Sequence, residues 1–174
     1  VLPLSLNQAG FPSENITIKS SPTIADLNVD SSSEIYFGAE NESFYGFDET
    51  GTILDGFPID ISGGIRSSPA VADLDNNGDK EIVFGSNNGR LTILNSDGSQ
   101  NNIYQISGGI NGSPALYDLD GDMDLEIVFT SDYNSSGTVY AIHHNGEDFE
   151  NFPVNIGEKM LVGAAIGDLE DDGE

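Results

Sequence analysis

One eight-residue phrase returns at nearly even intervals, and this recurrence constrains the fold more than anything else in the chain. Ser-Ser-Pro-Thr-Ile-Ala-Asp-Leu at 20–27 reappears as Ser-Ser-Pro-Ala-Val-Ala-Asp-Leu at 67–74 and as Gly-Ser-Pro-Ala-Leu-Tyr-Asp-Leu at 112–119. A looser copy, Val-Gly-Ala-Ala-Ile-Gly-Asp-Leu, occupies 162–169. The anchoring aspartates Asp26, Asp73, Asp118 and Asp168 stand 47, 45 and 50 residues apart, and differences of that size fit loops of unequal length. A period of about 20–50 residues marks a chain built by repeating one supersecondary unit, with neighbouring units burying each other's apolar faces.

Each period contains four short apolar segments rich in β-branched or aromatic residues and bounded by Gly, Asn, Asp or Ser, which leaves no room for a helix. In the second unit the segments are Ala70–Leu74, Glu81–Gly85, Arg90–Asn95 and Ile103–Ile106. In the third they are Ala115–Leu119, Glu126–Thr130, Thr138–His143 and Phe152–Ile156. Ile82-Val83-Phe84 and Ile127-Val128-Phe129 are apolar at consecutive positions, so both faces of these strands should be covered. Four antiparallel strands per period with both faces buried predict an all-β chain of β-propeller blades. Gly-Phe-Pro at 56–58 and Asn-Phe-Pro at 151–153 place a proline in the last strand, where an outer sheet edge tolerates the missing donor. The expected organisation is a closing strand over 1–19, blades over 20–66, 67–111 and 112–161, and an opening strand with half a loop over 162–174. Three full blades are too few to close a ring, so further blades of a longer parent protein, or self-association, are expected to complete it.

Between the first and second segments of every unit runs an acidic loop of fixed length. Counting from the anchoring aspartate, oxygen-bearing side chains occupy positions one, three, five and nine. These are Asp26, Asn28, Asp30 and Glu34 in the first loop, and Asp73, Asp75, Asn77 and Glu81 in the second. The third has Asp118, Asp120, Asp122 and Glu126, and the fourth begins Asp168, Glu170, Asp172. Position seven, Asp79 in the second loop and Asp124 in the third, would add its backbone carbonyl. Oxygen-only donors on a flexible loop favour Ca²⁺ over transition metals, and over Mg²⁺, which holds its waters and demands a tighter octahedron. One Ca²⁺ per loop is therefore the expected cofactor. Gly78, at position six, suits the sharp turn, which Met123 must make in the third loop. The last acid comes at position nine and a strand follows, so the loop is not an EF-hand.

Charge agrees with this reading. Five basic residues face thirty acidic ones for a formal charge of −25, and seventeen of those acids lie in the four loops. Such a balance would repel nucleic acid and anionic lipid. With no cysteine there is neither a disulfide framework nor a thiolate metal site, and no apolar run is long enough to span a bilayer.

The stretch Ser-Pro-Ala-Val-Ala-Asp-Leu-Asp-Asn-Asn-Gly-Asp-Lys-Glu-Ile-Val-Phe-Gly-Ser, residues 68–86, resembles the FG-GAP/VCBS repeat of integrin-α-like propellers, and the resemblance extends over nearly the whole chain. It implies a calcium-binding loop between the first two strands of each blade, rings commonly of seven blades, and roles in cell adhesion or as modules of secreted bacterial proteins. The chain departs from that family in having Glu at position nine and Met123 at position six; neither change removes an oxygen donor. Quinoprotein-type propellers rely on a repeated tryptophan, which this chain lacks.

Nothing in the sequence points to catalysis. His143 and His144 fall where other units have Asp48-Glu49 and Asn95-Ser96, so they are expected to be exposed turn residues. Ser62-Gly63-Gly64 and Ser107-Gly108-Gly109 precede strands, not the helix N-terminus that a phosphate cradle needs. The carboxylates recur with every unit, as structural loops do and single active sites do not. The expected function is a non-catalytic, calcium-stabilised extracellular module that recognises a protein or carbohydrate. An accessory propeller of a secreted hydrolase or polysaccharide lyase, or a structural subunit of a cell-surface assembly, are the alternatives.

Overall fold

The structure is a computed structural model that describes residues 16–133, 136–160 and 162–167. Among these, twelve strands and no helix form three antiparallel sheets of four strands each. The first sheet contains β1 (Thr23–Ala25), β2 (Glu34–Gly38), β3 (Ser43–Phe47) and β4 (Ile59–Asp60). The second has β5 (Ala70–Ala72), β6 (Glu81–Gly85), β7 (Arg90–Leu94) and β8 (Gln100–Gln105). The third has β9 (Ala115–Tyr117), β10 (Glu126–Tyr133), β11 (Ser136–Ile142) and β12 (Val154–Asn155). Strands pair in chain order, and no sheet closes on itself.

The expected segments of the second and third units coincide with β5 to β12, with shifts at the ends. β8 begins at Gln100, ahead of the expected Ile103, because an edge strand facing solvent has no need of apolar residues at its start. The β10–β11 hairpin runs on to Tyr133 and Ser136, beyond the apolar run that marked it, through pairs such as Ser131↔Thr138 and Asp132↔Gly137. Pro58 and Pro153 stand immediately before the edge strands β4 and β12, not within them. The missing amide N–H thus falls outside the ladder.

The sheets stack face to face, and the consecutive apolar residues of β6, the second strand of the middle sheet, serve both stacks. Ile82 and Phe84 of β6 join Leu27, Tyr36, Phe44, Ile61 and Ile65 in one core cluster. Val83, between them in sequence, points the other way and joins Leu74, Leu91, Ile110, Ile127 and Phe129 in a second. The rings of Phe44 and Phe84 stack across the first interface with centroids 4.1 Å apart. Burying a side chain of this size is worth about 1.5–3 kcal/mol, so these two layers are the main source of cohesion.

The recurring phrase has a mechanical role. Its first serine lies at the end of the second strand: Ser67 Oγ accepts the Gly85 N–H at 2.7 Å, and Ser20 Oγ accepts the Gly38 N–H at 3.2 Å. Its second serine links sheet to sheet, with Ser68 Oγ accepting from Ser21 N–H and Ser113 Oγ accepting from Ser68 N–H. The first strands β1, β5 and β9 consequently run side by side. Gly38 and Gly85 are required by close approach, since a Cβ on either would lie 2.1 or 2.2 Å from the Cγ2 of Ile65 or Ile110.

Candidate metal-binding loops

Each of the three complete acidic loops joins the first strand of a sheet to the second, and they share most of their internal wiring. The carboxylate at position one accepts backbone N–H groups from further along its loop: Asp26 from Asp30 and Ser31, Asp73 from Asn77 and Gly78, and Asp118 from Gly121 and Met123. The oxygen at position five accepts the N–H of position seven, as from Ser32 to Asp30, Asp79 to Asn77 and Asp124 to Asp122. The glutamate at position nine reaches back to accept the N–H of position two, at 3.1 Å in Glu34, 2.9 Å in Glu81 and 2.7 Å in Glu126. These hydrogen bonds hold the loop oxygens in place through the loop's own backbone.

Two residues per loop adopt left-handed backbone to close this turn. Position six does so in all three loops, at Ser31, Gly78 and Met123 with φ of 74°, 99° and 80°. Position four does so as well, at Val29, Asn76 and Gly121. Gly78 and Gly121 take this conformation freely and Asn76 tolerates it; the side chains of Val29, Ser31 and Met123 make it a cost that the loop must recover elsewhere. The sequence pattern singled out position six alone, because Val29 and Asn76 give position four no glycine signature.

Among the described residues the structure brings four candidate groups together, three of them all-oxygen and the fourth joining Asp120 and Glu126 to His143. Asp26, Asp30 and Glu34 offer oxygens all within 4.8 Å of one another, as do Asp73, Asp75 and Glu81, and Asp118, Asp120 and Asp122. In the first loop the Asn28 amide instead spans its neighbour, accepting from Asp30 N–H and donating to Asp30 Oδ2. Asn77 is taken up by the Asp79 N–H, and the side chains of Asp79 and Asp124 stand outside these groups. Asp168, Glu170 and Asp172 lie outside the described residues.

Electrostatically these sites are unbalanced. Glu34, Glu81 and Glu126 are at most 4% exposed. Burial pushes the Glu81 carboxyl above its ordinary value, with Asp75, Asp73 and Asp79 adding repulsion. Burial also raises Glu126, opposed by the Leu119 N–H and by His143. Among the described residues no Lys or Arg pairs with a loop carboxylate. Lys80 donates instead to the Asp26 carbonyl at 3.0 Å, and Lys19 and Arg66 both go to Glu40. Asp75 Oδ1 is shielded from solvent and has no hydrogen-bond partner.

The histidines depart from the sequence expectation. They do sit at the turn after β11, but neither faces solvent freely: His143 Nδ1 lies 3.0 Å from Glu126 Oε1 and His144 Nδ1 lies 3.2 Å from Asp124 Oδ2. His143 follows the residue paired with Ile127, at the strand's outset beside Glu126, and this register carries its ring to the third loop. Only the pairing of β10 with β11 could reveal that contact. A cleft of about 270 Å³ between the second loop and this turn is lined by Asp75, Glu81, Asn101, Asn102 and His144.

No family model matches the chain, and no curated protein does. Among solved structures it is similar to the V. cholerae biofilm matrix protein Bap1, at 21% identity and a TM-score of 0.52, covering 80% of this chain and 31% of that one. The likeness is one of fold. Weaker matches are two structures of BBS1N in complex with ARL6DN, at 13% and 12% identity with TM-scores of 0.44 and 0.48. Each covers 78% of this chain and 53% of the other. The chain thus spans about a third of Bap1 and about half of BBS1N. No helix among the described residues is long and apolar enough to cross a membrane.

Proposed function

We propose that this chain is a calcium-stabilised, non-catalytic segment of a β-propeller of the FG-GAP/VCBS type, serving recognition or adhesion outside the cell. The three sheets are its blades, and blades beyond this segment, or a second copy, complete the ring. The carrying observation is the buried glutamate that ends each loop. A carboxylate removed from water, beside aspartates and with no lysine or arginine to neutralise it, is costly unless a cation is present. Calcium is the ion of choice for the first two loops because every donor gathered there is oxygen. The turn wiring, which has the same offsets in the first two loops, supports a common ligand there. The recurrence of the site once per sheet argues for a structural ion. Similarity in fold to a biofilm matrix protein agrees with an extracellular setting.

Thermal unfolding in excess EDTA and after adding Ca²⁺ tests the reading. An ion that binds only the folded chain stabilises it by about 2.7 kcal/mol per site at a hundred times Kd. For a chain of this size each kcal/mol raises Tm by about 2–4 °C. Asp75→Ala should lower the calcium stoichiometry by one while leaving the fold intact. Identical melts with and without Ca²⁺ would overturn the assignment.

A further inference from the structure

We propose that the third loop differs from the other two in kind: Asp120, Glu126 and His143 form a mixed nitrogen and oxygen site for a divalent transition ion of the Zn²⁺ class. The inference builds on the reading of the loops as metal sites and adds a selectivity within them. The donor atoms of these three residues all lie within 4.8 Å of one another, and Asp120 belongs as well to the all-oxygen group with Asp118 and Asp122. Asp120 is exposed and open to an incoming ion, whereas Glu126 is fully buried and forms the floor.

The imidazole comes from a different element than the loop, and its ring is held in place. His143 ends the β11 hairpin arm, packs on Phe149 with centroids 5.2 Å apart, and directs Nδ1 at Glu126 Oε1. The turn beneath it is closed by His143 N–H to the Glu147 carbonyl and by Gly146 N–H to the His143 carbonyl. The register-equivalent residues of the other sheets behave differently. Asp48 accepts from Thr50 and Thr52, and Asn95 bonds to Ser99 and Asn101, so both are used within their own turns. Among the described residues no histidine joins the first or second loop group.

This difference changes which ion is preferred. Ca²⁺ is held by oxygen alone, while imidazole with carboxylates suits Zn²⁺ and its neighbours in the transition series. The third loop should therefore keep a transition ion in the presence of excess calcium.

The test uses the untagged chain, stripped with chelator and titrated with Co²⁺ in saturating Ca²⁺. One Co²⁺ should bind, produce hyperfine-shifted imidazole resonances in the NMR spectrum, and be displaced by Zn²⁺. His143→Gln, which keeps a polar side chain of similar reach, should weaken Co²⁺ binding by about tenfold or more and abolish the shifted resonances. His144→Gln should retain both. Calcium stoichiometry at the first two loops should be unchanged in His143→Gln. Full displacement of Co²⁺ by Ca²⁺, or His143→Gln binding Co²⁺ as the parent does, would overturn the proposal and leave His143 a hydrogen-bond partner of Glu126. Loss of the resonances in His144→Gln but not in His143→Gln would overturn it too. A chain that binds Co²⁺ through His143 but no Ca²⁺ anywhere would instead refute the calcium reading alone.

Discussion

Glu81→Gln should change sign with the buffer, stabilising the chain in EDTA and destabilising it in Ca²⁺. The amide keeps an oxygen to accept the Leu74 N–H and removes only the charge. Glu81, Asp73 and Asp75 hold their oxygens no more than 4.8 Å apart. At that separation each pair of full charges repels by about 0.9 kcal/mol in water and about 3.5 kcal/mol at an effective dielectric constant of 20. The substitution deletes two such pairs, a gross relief of roughly 2–7 kcal/mol. Part of that is already avoided, because the raised carboxyl takes up a proton more readily than a free glutamate. A net gain of about 1 kcal/mol in EDTA at neutral pH is a reasonable expectation, visible as a rise of about 2–4 °C in Tm. In Ca²⁺ the same change removes a ligand, and the lost binding, about 2.7 kcal/mol at a hundred times Kd, outweighs the relief. Paired melts of parent and variant in the two buffers decide it. Equal destabilisation in both would refute the reasoning, and would make Glu81 a structural acceptor for the Leu74 amide.

Three further outcomes follow from the same geometry. The carboxyls of Glu81 and Glu126 are both shifted upward. In the metal-free chain their stabilising contribution is therefore complete below the ordinary glutamate pKa of about 4.3 and is lost as pH rises through the elevated values. Denaturation in EDTA across that window should show their part of the stability falling with pH, and Glu81→Gln should flatten the slope. Gly85→Ala would place a Cβ 2.2 Å from Ile110 Cγ2, so overpacking should cost about 1–3 kcal/mol, measured by urea unfolding. Ser67→Ala strands the buried Gly85 N–H and should cost about 1–3 kcal/mol by the same assay, whatever the calcium concentration.

Periodicity made much of this protein legible. Strand β6 was marked by Ile82-Val83-Phe84, because only a strand covered on both faces is apolar at successive positions, and it does divide its side chains between two cores. The polar start of β8 and the far end of the β10–β11 hairpin were hidden, since neither depends on burial for its pairing. Among the loop residues, position one was legible because its oxygens recur at fixed offsets. The left-handed backbone at Val29 was not, because loop closure imposes it against the preference of a β-branched residue.

Local chemistry, read in order along the chain, was thus enough to specify repeated four-strand units, their buried second strands and the inventory of oxygen donors. What tertiary structure alone decided was which donors meet. It buried the three position-nine glutamates, steered Lys80 to a carbonyl instead of a carboxylate, and set His143 beside Glu126. Those outcomes depend on strand register and on sheet stacking. A shift of one residue in the pairing of β10 with β11 would send the imidazole to the opposite face.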